Sequence, residues 1–162
     1  MNKKYIGLLF IIFIPSAFSS PLEGTWREDR EKTLKWNFEN RKVSADYQER
    51  IGKILGHLFV TYKNGRMCQY SEPYEINHKG KTTQVSAYLP EMADYDIIAK
   101  NEEGMVVRAS YPIGAEHITM HIFEGENSMY GVGLSTEEFG QPGNRTYFKR
   151  VPPVEWESVC KY

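Results

Sequence analysis

Leu58-Phe59-Val60-Thr61-Tyr62-Lys63-Asn64-Gly65-Arg66-Met67-Cys68-Gln69-Tyr70 is the stretch on which the fold turns. Leu58, Val60 and Tyr62 recur with a period of two, and Asn64-Gly65 favours a two-residue hairpin turn before the returning strand at 67–70. The same pattern runs on downstream. Strands are predicted at 74–77, 82–89, 95–100, 105–110, 117–123, 128–134 and 145–151. Between them lie Lys79-Gly80, Leu89-Pro90, Glu103-Gly104, Pro112 with Gly114, Gly125-Glu126-Asn127 and Gly140-Gln141-Pro142-Gly143. With a strand at Gly24-Thr25-Trp26 the count is ten, or nine if the chain is continuous through Glu72-Pro73. Short, evenly spaced strands without intervening helices argue an up-and-down antiparallel meander, and closing it into a barrel removes the edges. The expected class is mainly β, an up-and-down antiparallel β-barrel of about 8–10 strands.

Upstream of the hairpin the period changes. Residues 29–38 are charged and lack Gly and Pro, with Leu34 and Phe38 on one face. Ser44 reads as the N-cap of a second segment at 45–55, where Tyr47, Ile51, Ile54 and Leu55 form an apolar stripe. One or two short helices after the first strand follow, broken at Asn40-Arg41-Lys42.

Residues 1–19 have the parts of a secretory signal: Lys3 and Lys4, an apolar run at 6–18, and Ala17-Phe18-Ser19 as a small-x-small cleavage site. The run contains Pro15 and falls short of the roughly 20 apolar residues that span a bilayer. A periplasmic or secreted product cleaved near Ser19 is expected, with no transmembrane segment in the mature chain. What remains is the size of one domain, about 100–150 residues: a barrel at 20–151 that includes the helical segment 29–55, then a C-terminal strap at 152–162. Cleavage would remove two lysines and no acids from a chain of 20 basic and 21 acidic residues, so no electrostatic footprint for nucleic acid exists. An aromatic content of 14%, with 11 tyrosines, suits strands and a lined cavity. Cys68 and Cys160 form an even pair that would reach an oxidising compartment, where a disulfide is commoner than a metal or redox site; two free thiols are the alternative.

Gly24-Thr25-Trp26 resembles the Gly-x-Trp that opens the first barrel strand of the calycins, the superfamily of lipocalins and fatty-acid-binding proteins, whose Trp plugs the closed end. The likeness covers the architecture of most of the mature chain, but only short motifs of its sequence. Helices after the first strand and a count near ten are similar to the fatty-acid-binding branch, as is Arg145-Thr146-Tyr147, which resembles an Arg-x-Tyr that holds a ligand carboxylate. The leader and a Cys68 to Cys160 bond resemble secreted lipocalins instead, although their usual helix near the C-terminus is missing. The resemblance implies the superfamily and leaves the branch open.

The last strand carries the sharpest site. Arg145, Tyr147 and Lys149 share one face, and Thr146, Phe148 and Arg150 the other. If the first set points inward, Arg145 and Tyr147 would grip a carboxylate or phosphate, with Tyr130 and Arg108 as further candidates for ligand contact. If Phe148 points inward, the pair is on the surface and Arg150, by the lipocalin resemblance, packs across Trp26 as a structural residue. Arg108 opposes Met105, Val107 and Ala109, which makes it a solvated position; inside a barrel it would require an anion. His117 and His121 lie four apart, a poor spacing for a shared metal in a strand, so Ile118, Met120 and Ile122 are expected to face the core and the histidines water. Gly131 and Gly133 mark either a barrel corner or the close approach of a ligand. No nucleophile-base motif or phosphate loop stands out, so neither a catalytic residue nor a cofactor is predicted.

The expected function is therefore a non-enzymatic exported protein that carries or senses a small apolar or amphipathic ligand in its barrel. The alternative is an envelope protein-binding module, a hydrolase inhibitor or toxin immunity protein, using loops at 93–96, 112–116 and 137–143.

Overall fold

The computed structural model describes residues 20–40, 44–78, 80–87, 90–134 and 144–160. The leader, the break at 41–42 and the 137–143 loop lie outside the described residues. Asn64 and Gly65 both take positive φ, 51° and 76°, the two-residue turn that joins β2 (Leu58–Lys63) to β3 (Arg66–Ser71). The other strands are β1 (Gly24–Glu28), β4 (Tyr74–His78), β5 (Lys81–Val85), β6 (Glu91–Lys100), β7 (Gly104–Ser110), β8 (Glu116–Phe123), β9 (Ser128–Gly133) and β10 (Thr146–Val151). Eight of them close a barrel in the order β1-β10-β9-β8-β7-β6-β3-β2, with every pair antiparallel.

β4 and β5 correct the continuous meander. They pair only with each other, and β6 returns to β3 with Cys68 opposite Met92. The reason is compositional: Lys81-Thr82-Thr83-Gln84-Val85 has one half-buried residue and four exposed ones, so it offers no apolar face for the wall. The hairpin rests on the helical side of the molecule, where the Tyr74 ring stacks on His57 with centroids 3.7 Å apart.

Trp26 closes one end of the barrel. Its side chain is fully buried, its indole N–H donates to the Leu22 carbonyl at 2.8 Å, and the Arg150 guanidinium carbon lies 4.2 Å from the ring centroid. Arg150 in turn donates to the carbonyls of Pro21, Glu23 and Glu126, which fixes the cation over the ring. Gly24 makes this possible. Its φ is +120°, and a Cβ there would stand 2.6 Å from the Arg150 Nη1. Above this floor Val60, Tyr62, Met105, Val107, Met129 and Phe148 fill the interior.

Two helices follow the first strand, α1 (Arg30–Asn40) and α2 (Ala45–Ile54). Asp29 caps α1 by accepting from the Lys32 N–H at 3.1 Å. β1 ends at Glu28, opposite Phe148; on that side of β10 the Tyr147 carbonyl still accepts from the Asp29 N–H at 2.7 Å, and beyond it the Tyr147 N–H and the backbone of Arg145 have no strand neighbour. α1 takes that place. Thr33 Oγ1 accepts from the Tyr147 N–H at 2.9 Å, and the Asn37 amide both accepts from the Arg145 N–H and donates to its carbonyl, at 3.1 and 2.8 Å. Side chains one helical turn apart thus complete the pairing of β10, which explains why the one fully buried residue of α1 is a threonine. Glu28 is buried beside this junction and accepts from the Gly56 N–H at 2.6 Å; burial pushes its carboxyl above the usual range, against the pull of the backbone donors of Gly56 and Leu58.

Cys68 and Cys160 are disulfide-bonded, with Cα atoms 6.1 Å apart. Both belong to a second small core outside the barrel, with Tyr70, Met92 and Trp156. The tail is not wholly extended: one helical turn, α3 (Trp156–Val159), presents Trp156 to this core. Among the described residues no helix is long and apolar enough to cross a membrane.

Candidate functional site

Register decides which face of β10 is inner. Phe148 lies opposite Met129 and within the barrel core, so Thr146, Phe148 and Arg150 face in while Arg145, Tyr147 and Lys149 face out. Arg145 and Tyr147 therefore do not face the barrel interior. They do meet Tyr130: the Arg145 guanidinium carbon is 4.3 Å from the Tyr130 ring centroid, its Nη1 is 3.4 Å from the Tyr147 hydroxyl, and the two tyrosine rings are 5.3 Å apart. Arg108 stands apart from this group. It faces outward on β7 and pairs with Asp96 at 2.9 Å, so three of the four predicted ligand contacts converge and one is a surface ion pair.

Sequence reading missed the fourth member of the cluster, Trp36. Its ring centroid lies 4.3 Å from the Arg145 guanidinium carbon, on α1. Within α1 Trp36 follows neither Leu34 nor Phe38 in period; it reaches Arg145 because Thr33 and Asn37 dock the helix on that strand.

The inner face of β8 reverses the expectation for the histidines. Met105, Val107 and Ala109 face the core, and their cross-strand partners are His121, Thr119 and His117, so the histidines point in and Ile118, Met120 and Ile122 point out. Only one face of a strand can match its neighbour's inner face, and β7 sets it. His121 is 4% exposed; its Nε2 is 3.5 Å from the Tyr62 hydroxyl and its Nδ1 has no partner.

Burial pushes His121 down to about 4, from an ordinary 6.5. The folded state holds the ring neutral over a range where the unfolded chain protonates it. The resulting stability is complete above about pH 6.5 and is lost as pH falls toward 4, at about 1.4 kcal/mol per pH unit and roughly 3 kcal/mol in all. Glu28, held above its ordinary value, acts in the opposite sense. Urea unfolding at pH 7 and pH 5 is expected to show a smaller acid-induced loss in His121→Gln than in the native chain; equal losses would refute the assignment.

From floor to mouth the inner face changes character. Near Trp26 it is apolar and buried, whereas Gln69, Ser71, Tyr111, His117, Thr119 and Thr146 at the other end are polar or amphipathic and only half-buried. The Gln69 amide donates to the Tyr111 hydroxyl at 2.7 Å, and the Tyr111 and His117 rings lie 4.9 Å apart. Gly131 and Gly133 face the same space. A Cβ on Gly131 would be 3.3 Å from Thr119 Cγ2, while one on Gly133 would meet nothing within 4 Å.

Charge along this inner face is one-sided. Arg150 belongs to the floor, where its donors are taken, and the inner strand face toward the mouth carries Glu28 and Glu91 but no cation among the described residues. Among those residues, no group of three or more His, Cys, Asp or Glu could hold a metal ion. A separate cleft of about 400 Å³ lies outside the barrel, between Pro153, Val154 and Trp156 of the tail and Thr25, Thr61 and Lys63. Of the predicted binding loops, 93–96 is part of β6 with Ala93 and Tyr95 buried, and 112–116 holds the turn whose tip, Ile113, is 90% exposed.

The molecule is thus an eight-stranded closed antiparallel β-barrel with a sealed floor and a polar mouth. No protein-family model matches the chain, and no curated protein or solved structure matches it significantly.

Proposed function

We propose that this chain is a calycin-like, non-enzymatic binding protein, exported to the periplasm or secreted, that holds a small uncharged apolar or amphipathic molecule inside its barrel. The observation that carries the reading is the gradient of the inner face, from a floor sealed by Trp26 and Arg150 to half-buried Gln69, Tyr111, His117 and Thr119 at the mouth. Export rests on the sequence at 1–19, and the Cys68–Cys160 bond is compatible with it. Among the described residues the inner strand face toward the mouth has no cation beside Glu28 and Glu91, which argues for a neutral polar group on the ligand, because an anion there would be desolvated without a counter-charge.

Native mass spectrometry of the protein with dodecanol and with dodecanoate tests this. Dodecanol is expected to bind at least about tenfold more tightly. Gly133→Leu, adding a large side chain at the exposed mouth end of β9, is expected to weaken that binding at least about tenfold while changing stability by no more than about 0.5 kcal/mol. Tighter binding of dodecanoate would overturn the neutral-ligand reading, and no binding of either, together with protein that purifies empty from its host, would overturn the carrier reading.

A further inference from the structure

β9 offers the barrel no side chain at its last two inward positions. Gly131 and Gly133 face in, and the register sets His121 of β8 on one side of Gly131 and Thr146 of β10 on the other. With strands about 4.8 Å apart, the span between β8 and β10 is about 10 Å, and it runs about 7 Å along β9 from Gly131 to Gly133. Thr119, the next inward residue of β8, lies opposite Gly133. Thr119 and Thr146 are half-buried and Gly133 is exposed, whereas Gly131 and His121 are buried. The slot therefore opens to solvent at Gly133 and ends on His121.

At that closed end a ring nitrogen is unsatisfied. His121 Nε2 lies 3.5 Å from the Tyr62 hydroxyl, and the buried Nδ1 has no partner. A Cβ on Gly131 would stand 3.6 Å from that Nδ1, so the nitrogen faces the bare glycine. Leaving it unpaired costs free energy that a group arriving through the slot recovers. A neutral imidazole has one N–H and one acceptor nitrogen, and the Tyr62 contact decides which is which. A hydroxyl both donates and accepts, so it satisfies Nδ1 in either tautomer, while a carbonyl suits only one.

We propose that this slot takes the hydroxyl-bearing edge of a flat ring, phenol being the simplest case, with the ring over Gly131 and Gly133 and the hydroxyl on His121 Nδ1. The proposal rests on the carrier reading and adds to it a polar anchor at the buried end of the ligand. The full chain with ¹⁵N-labelled histidine is titrated with phenol and with toluene, which has a similar shape and no hydroxyl. Phenol is expected to shift the His121 Nδ1 resonance saturably and to bind at least about tenfold more tightly than toluene. In His121→Phe that preference is expected to shrink to within about twofold.

Equal binding of the two probes, or a His121 resonance that neither moves, would overturn the proposal and leave Nδ1 to a buried water. A preference that survives in His121→Phe would overturn it too, by placing the hydroxyl elsewhere. The titration of the native chain needs no substitution, so it stands even if the variant fails to fold. Dodecanol binding beside a flat phenol titration would remove this inference and leave the carrier reading, whereas protein that binds neither dodecanol nor phenol would remove both.

Discussion

Trp26→Ala is expected to destabilise the barrel by about 3–5 kcal/mol, the range for removing a large buried aromatic side chain. The indole is wholly buried, and its loss strips the floor of three things together: the apolar volume against Phe123, whose centroid is 6.3 Å away, the hydrogen bond to the Leu22 carbonyl, and the aromatic surface beneath Arg150. Arg150 would remain tied to Pro21, Glu23 and Glu126 above a void. Against a total stability of about 5–15 kcal/mol this is a large fraction. Urea unfolding read by far-UV circular dichroism should give a much lower midpoint with an unchanged slope. Trp26→Phe, which keeps most of the volume, should lose clearly less, and an alanine variant within about 1 kcal/mol of the native chain would mean that the floor is held by other contacts.

The second large effect belongs to the Cys68–Cys160 bond. It joins residues 92 positions apart, and closing a loop of that length restricts the unfolded chain by about 4–5 kcal/mol on the chain-entropy account. Measured bonds typically deliver about 2–4 kcal/mol, so the double variant Cys68→Ser with Cys160→Ser should fall in or just above that range. It should also loosen the tail, because Trp156 packs on the cystine, Tyr70 and Met92 rather than on the barrel interior. Tryptophan emission should therefore shift to the red before the strands melt, and a thermal midpoint equal with and without reductant would count against any structural role for the bond.

Most of the barrel is legible in the sequence, because period-two alternation and turn dipeptides are local signals. Asn64-Gly65 specified its hairpin, and Gly24 and Trp26 marked a strand whose glycine leaves room for Arg150. Alternation assigns residues to a common face but does not say which face is inside. For β10 both options were open, and the pairing of Phe148 with Met129 chose one. For β8 apolar content pointed the wrong way: Ile118, Met120 and Ile122 are the more apolar set, yet the register with β7 turned His117 and His121 inward. Nor does alternation announce that a hairpin will leave the wall, as β4 and β5 do; there the sign is the lack of apolar residues in Lys81–Val85. Trp36 and Glu28 were invisible for a different reason, since their roles depend on where a helix docks and that is a long-range contact.

The docking of α1 on β10 has a consequence for how the molecule behaves in a crowded solution. Where β1 stops, the bare backbone of Arg145 and Tyr147 would otherwise be an open sticky margin, able to recruit a strand from another copy and start edge-to-edge polymerisation. The Asp29 N–H takes the Tyr147 carbonyl, and Thr33 and Asn37 occupy the remaining donors and acceptor with side chains borne on a helix, which no incoming strand can extend. The barrel thereby stays self-limiting at the one place along β1 and β10 where its ladder of strands falls short.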